Sequence, residues 1–400
     1  MFGYSEKKLA KEIARVAKSI DPSLLAEYIS DAREVRLKSQ AEDAKDPVSI
    51  YLGNLFLKLE NMSKKERLNS IDAFLRDVLT PPDLSPDEVI DSFALRVRTD
   101  FDISFRNSHF TQMGHTPPSS VLYRRGDLLV EIVSDSEESV ATISPEDLAE
   151  LDVTQEEAIR IAGAKLRRYT DAEQWQELEE SIWLSSYQDD YDVARLMAAD
   201  DNVVLPINGT PIVFAPSHSV CLVTDAINAG TLARMIEIGN EAAQSHRPFS
   251  QLLWSTRDGR NWEAWQPEAN TDAVDVVDLQ TMRELAGQYE ETKDLLERAL
   301  GEDVFVASYQ AMESAEGLVS YFAYTFDLPT YFPHTDFVAL VDPERSGDDT
   351  VVGRVSWDEF ATVLGPEFED VQDVTPRWVR VSAGLNSEQK KKLSELARPL

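Results

Sequence analysis

Two polar constellations and a pair of histidines hold the residue types that could do chemistry in this chain of 400 residues. Asp189, Asp190 and Asp192 stand together, and Asp200-Asp201 closes the same segment. Grouped carboxylates can bind a divalent ion or work as general acid and base. Further on, Pro216-Ser217-His218-Ser219-x-Cys221-x-x-x-Asp225 gathers serine, histidine, cysteine and aspartate, the types used by nucleophilic hydrolases. Asp189, Asp192, His218 and Asp225 are therefore the candidate catalytic residues. His109 and His115, six apart with Asp100 and Asp102 nearby, are the candidate metal ligands.

Each group also has a plainer structural reading. Aspartates before Val193 to Ala198 are good helix caps and dipole partners. Ser217 and His218 are neighbours on a strand, so they point to opposite faces unless a turn rearranges them. Cys221 sits in an apolar run and reads as packing. The histidines lack the H-E-x-x-H pattern, and Ser346-Gly347-Asp348-Asp349 lacks the ligand series of a calcium loop, so it reads as a turn. No P-loop lysine motif, G-x-G-x-x-G or G-x-S-x-G elbow is present, and Gly230 is a lone glycine in a helical pattern. No cofactor is expected.

The elements that must position these residues centre on Asp189 to Thr224. Val203 to Ile207 is apolar, Asn208-Gly209 has the composition of a tight primed turn, and Ile212 to Val223 is the return arm. Pro216-Ser217-His218 marks a turn or bulge within that arm. Such continuous apolar strands belong mid-sheet beneath helices. Around them, Leu128 to Val133 and Val140 to Ile143 read as strands, and Ser144-Pro145 and Thr154 open helices. Trp175 to Ser186 fits helix or strand. A second hairpin turns at Asp258-Gly259, with Trp254, Trp262 and Trp265 forming a sheet face or a binding surface.

Upstream, Ser5 to Ser19 gives an amphipathic helix whose Lys7, Lys8, Lys11, Arg15 and Lys18 fit either docking to a membrane or partner or packing on an acidic body. Asp21-Pro22 is expected to start a second short helix to Arg33, and Asp100 to Ser120 reads as irregular. The fold class is α+β, with mixed or antiparallel sheets, packed helices and more than one domain. Residues 1–34 form an N-terminal helical segment, 35–270 one α+β domain and 275–400 another. The composition shift at Pro267 to Asp275 marks the boundary.

The 72 acidic residues against 39 basic ones give −33, which disfavours nucleic acid and anionic membrane partners. One cysteine excludes an internal disulfide framework, and no apolar run suggests a membrane span or signal peptide. These features point to the cytoplasm.

The order Leu128 to Val133, Ser144 to Leu151, Thr154 to Arg168, Asp189-Asp190-Tyr191-Asp192-Val193-Ala194-Arg195-Leu196, Gly209 to Thr224 and Arg257-Asp258-Gly259 resembles the YtpQ-like family of uncharacterised bacterial proteins. Its members carry an acidic-glycine-tyrosine stretch running into an A-S-x-x-L helix start, then an apolar strand ending in a V-P-x-x-D turn. Here Asp190-Tyr191 lacks the glycine, Ala194-Arg195 lacks the serine, and Ala215-Pro216-Ser217-His218-Ser219 has serine for the aspartate. The resemblance covers roughly Val35 to Gln266 and implies a fold and a bacterial cytoplasmic setting, but no activity. Together these features predict an interaction or scaffold protein without turnover, with a protein partner. The alternative is a metal-dependent or nucleophilic hydrolase with its site near the central hairpin.

Overall fold

Short polar signatures start many of the helices. Ser85, Ser144 and Ser356 each accept a hydrogen bond from the backbone N–H three residues on, and the acid there reaches back to the cap's own N–H. Asn386 and Gln389 do the same for the last helix. Such pairs satisfy N–H groups that a first turn leaves without intrahelical partners. The computed structural model describes residues 4–30, 33–40, 47–79, 84–112, 114–135, 140–168, 174–187, 189–197, 205–243, 248–269, 271–300, 304–314, 317–345, 350–372, 374–382 and 384–399.

In chain order the first elements are α1 (Glu6–Ile20), β1 (Leu24–Ile29), β2 (Glu34–Ser39), β3 (Val48–Tyr51), α2 (Leu52–Leu59), α3 (Lys64–Leu79) and α4 (Pro86–Ser92). There follow β4 (Phe93–Arg98), α5 (Asp100–Gln112), β5 (Leu122–Arg125), β6 (Leu128–Asp135), β7 (Val140–Thr142), α6 (Pro145–Glu150) and α7 (Gln155–Arg168). The middle of the chain forms β8 (Trp175–Glu179), β9 (Ile182–Ser185), α8 (Asp192–Met197), β10 (Ile212–Ser217), β11 (Val220–Thr224), α9 (Ala229–Ala243), β12 (Leu253–Ser255) and β13 (Glu263–Ala264). Then come α10 (Ala273–Leu300), β14 (Phe305–Val306), β15 (Gln310–Ser314), β16 (Gly317–Thr325), β17 (Thr330–Pro333) and β18 (Phe337–Val341). The chain ends with β19 (Val351–Ser356), α11 (Trp357–Leu364), β20 (Phe368–Asp370), β21 (Trp378–Val381) and α12 (Ser387–Leu396). The fold is α+β, with antiparallel and mixed sheets. No helix among the described residues is long and apolar enough to cross a membrane.

Two compact units are present. The first comprises Met1–Leu95, Ile132–Tyr169 and Ala243–Arg247. In it, the antiparallel sheet β1-β2-β3 and the helices α1, α2 and α3 enclose one core, built from Leu9, Ile13, Val16, Val35, Leu37, Ile50 and their neighbours. The helix expected from Asp21 is instead β1. Asp21 Oδ1 accepts the Ser23 N–H at 2.8 Å, which turns the chain before Leu24, and Leu25 then pairs with Lys38. Ser63 caps α3 as its spacing to Glu66 predicts.

The second unit comprises Arg96–Glu131, Thr170–Ala242 and Pro248–Leu400. It runs unbroken through 267–275, the stretch expected to form a domain boundary. There α10 starts, and the helix contributes to two cores. Its Ala273 and Val277 join Ile212, Phe214 and Leu222, while its Tyr289 joins Val306 and Trp378. The six-stranded sheet is ordered β13-β12-β10-β11-β9-β8, so the two apolar strands are central, as their composition requires. Gly239 of α9 lets that helix lie close on β10, since a Cβ there would stand 2.7 Å from the Phe214 ring. Two four-stranded sheets, β14-β17-β21-β20 and β15-β16-β18-β19, complete the C-terminal region.

The central hairpin differs from expectation in its turn and in its arms, because both of its strands come from the single arm expected over Ile212 to Val223. β10 pairs with β11 through Ile212↔Thr224 and Ser217↔Val220, so His218-Ser219 is the two-residue connection, with a bulge after Phe214 that accommodates Pro216. Leu205 to Ile207 is not strand, and Val203 and Val204 lie outside the described residues. Gly209 does not take the positive φ that a primed turn needs. Asp225 Oδ2 accepts the backbone N–H groups of Asn208 and Gly209 instead, at 3.2 and 3.0 Å.

Candidate functional site

The connection between β9 and α8 places the acidic group. Tyr191 N–H donates to Asp189 Oδ1 at 3.1 Å, and Asp190 takes a positive φ of 64°. This turn aims Asp192, the first residue of α8, inward, where it is 2% exposed. Its Oδ1 accepts the Ser185 hydroxyl from β9, and its Oδ2 has no hydrogen-bond partner. Burial, reinforced by the Asp189 carboxylate, pushes the Asp192 carboxyl above its ordinary range.

Asp189 stands apart from it electrically. Its carboxylate takes both terminal nitrogens of Arg195, one turn further along α8, with Nη1 to Oδ1 at 2.6 Å. The guanidinium lies 3.9 Å from the Tyr187 ring centroid. Partial burial alone would raise the Asp189 carboxyl, but the Arg195 hydrogen bonds and charge outweigh it and hold it low. The Arg195 hydrogen bonds go to Asp189, and its charge favours the Asp192 carboxylate without reversing the upward push of burial.

The turn of the central hairpin meets this group from the other side. Ser219 donates its hydroxyl to Asp190 Oδ1. His218 is buried, with its ring tilted on Phe249 at 5.2 Å. Cys221 is wholly buried, and burial followed by the Asp192 carboxylate drives its thiol well up, away from the reactive thiolate form. Asp225 sits past the far end of β11 from His218, so those two candidates are held apart by the length of the strand. Of the four catalytic candidates, Asp189 and Asp192 share one turn, His218 adjoins it through Ser219, and Asp225 serves the Asn208-Gly209 loop.

The histidine candidates lie elsewhere, His109 on α5 and His115 past its end. Asp100 to Gln112 is helix, not the expected irregular segment, because Thr99 and Asp102 form a reciprocal cap: Asp102 N–H to Thr99 Oγ1 is 3.1 Å and Thr99 N–H to Asp102 Oδ2 is 2.8 Å. His109 stacks on Phe105 and His115 packs edge-on to Phe110. Among the described residues, no group of three or more His, Cys, Asp or Glu side chains is placed to hold a metal ion. Trp254 and Trp262 are buried, which makes them core rather than a binding surface.

A second charged centre has no counterpart among the sequence candidates. Glu131 on β6 is fully buried and accepts from Arg98 Nε at 3.0 Å and Arg106 Nη1 at 2.5 Å. Arg106 also donates to Ser120 at 2.7 Å. Burial would raise the Glu131 carboxyl, but the two guanidiniums together reverse the direction and hold it below its ordinary range. No protein-family model, curated protein or solved structure matches this chain.

Proposed function

We propose that this chain is an interaction or scaffold protein without catalytic turnover, in a bacterial cytoplasm, related to the YtpQ-like family that its residues 35–266 resemble. The observation that carries this reading is the engagement of the polar side chains that could work on a substrate. Asp189 holds Arg195, Asp192 is buried on Ser185, and Asp225 holds two backbone N–H groups. His218 is packed beneath Phe249. Each is spent on the structure that positions it, and Cys221 is locked as a neutral thiol.

One contact favours the hydrolase alternative. The Ser219 hydroxyl donating to the Asp190 carboxylate is the hydroxyl–base pair with which nucleophile activation begins. A panel of chromogenic ester, phosphoester and amide substrates, with and without added divalent ions, separates the readings. The expected result is no turnover above a heat-denatured control. Turnover that Ser219→Ala abolishes would establish the hydrolase.

A further inference from the structure

The geometry points to the outward face of α1 as the docking surface for a short acidic segment of a partner protein, an inference that rests on the interaction reading above. Charge is unevenly distributed along the chain. Residues 1–79 hold 14 Lys and Arg against 13 Asp and Glu, whereas residues 80–400 hold 25 against 59. The basic side chains of α1 are Lys7, Lys8, Lys11, Arg15 and Lys18, and all five are exposed. At 3.6 residues per turn they fall within about 100° of arc and span about 16 Å of helix.

Both acidic residues of α1 are used internally. Glu6 pairs with Arg33, and Glu12 is buried against Arg67 at 2.9 Å and the Tyr4 hydroxyl at 2.8 Å. Among the described residues no carboxylate forms an ion pair with the five cations; Lys8 lies 5.8 Å from the Tyr4 ring centroid. The opposite face of α1 is anchored in the core through Leu9, Ile13, Val16 and Ala17. The cationic stripe is therefore presented on a fixed helix.

That anchoring also selects the partner. The apolar side that an amphipathic helix would insert into a bilayer is already buried, so a membrane could use only the charges. Four of the five cations are lysines with no interleaved aromatics, which lacks the arginine forks and stacking platforms of nucleic-acid surfaces. An extended polyanion or a bilayer would also meet the net −33 of the whole molecule. A short acidic segment can stay within the stripe, where attraction acts over about 8 Å at physiological salt.

The test is fluorescence anisotropy of the full chain with a labelled twelve-residue oligoglutamate. Lys11→Glu/Arg15→Glu is expected to weaken binding by about tenfold or more. The charge-matched Lys391→Glu/Lys392→Glu, on exposed α12 positions, should change it by less than about twofold. Equal effects of the two doubles, or no peptide binding by the unaltered protein, would overturn the proposal. Tighter binding of anionic vesicles or duplex DNA through the same two residues would overturn the partner class. So would self-association, seen by sedimentation, that only the α1 double abolishes. Turnover in the substrate panel would instead overturn the interaction reading, and the anisotropy result would stand apart from it.

Discussion

Glu131 and Asp192 are both shut away from water in the same compact unit, yet their surroundings push their carboxyls in opposite directions. Glu131 receives two guanidiniums, and its charge is stabilised despite complete burial. Asp192 receives the Ser185 hydroxyl and the Tyr187 backbone N–H but no guanidinium, because the arginine one turn away is bound to Asp189. Burial pushes both carboxyls up, and the assignment of nearby cations decides the sign. A buried carboxylate is therefore no marker of chemistry until its neighbours have been counted.

The sharpest way to break this contrast is to remove the charge at Glu131. Glu131→Gln keeps the shape but leaves Arg98 and Arg106 without their anion, and Arg98 is itself buried. Breaking a buried pair from one side destabilises by about 3–5 kcal/mol, because the remaining charge stays desolvated. Urea denaturation at pH 7 should show that loss. Because the folded carboxyl lies low, its contribution is complete above the unfolded value of about 4.3 and is lost as pH falls through the folded value. The variant's deficit should therefore shrink in acid. A deficit below about 1 kcal/mol at pH 7 would mean that water reaches the arginines.

Arg195→Met is expected to cost less, about 1–2 kcal/mol. The substitution removes the buried cation rather than stranding it, and the Asp189 carboxylate left behind is 44% exposed and can be hydrated. The loss comes from packing against Tyr187 and the two hydrogen bonds. A deficit as large as that of Glu131→Gln would show that Asp189 is not free to take up water.

How much of this was legible in the sequence depends on the range over which each feature is built. Ile212 to Val223 was readable as apolar mid-sheet strand, although it folds as two strands, β10 and β11, rather than one. The capped helices α3, α6 and α7 were readable, because their signals lie within four residues. The turn was not. Asn208-Gly209 has the composition of a hairpin connection, but Asp225, distant in sequence, captures both N–H groups and leaves His218-Ser219 to make the reversal. Helix α5 carries a local signal, the T-x-x-D spacing of Thr99 and Asp102, which the metal-suggestive pair of His109 and His115 masks. The Glu131 centre had no local signal at all. Arg98 and Arg106 lie 33 and 25 residues from it, and only the adjacency of β4 and β6 brings β-strand neighbours and α5 to one carboxylate.

The smallest expected effect belongs to Asp192→Asn, and its dependence on pH is the informative feature. The amide has nearly the shape of a neutral carboxyl and can still accept the Ser185 hydroxyl, so in acid the change should stay within about 1 kcal/mol. Asp192 has a folded value raised above the unfolded one of about 3.9. The folded protein then binds more protons than the unfolded chain, so the wild-type protein loses stability as pH rises from there to the folded value. Asparagine has no proton to lose. Plotted against pH, the stability of Asp192→Asn relative to wild type should climb through that window and level off above it. Glu131→Gln should run the other way, its deficit deepening as pH rises from acid toward neutrality. A flat difference for Asp192→Asn would mean that the carboxyl ionises at its ordinary value. Its Oδ2 would then have a partner that balances the charge, and the contrast with Glu131 would fall.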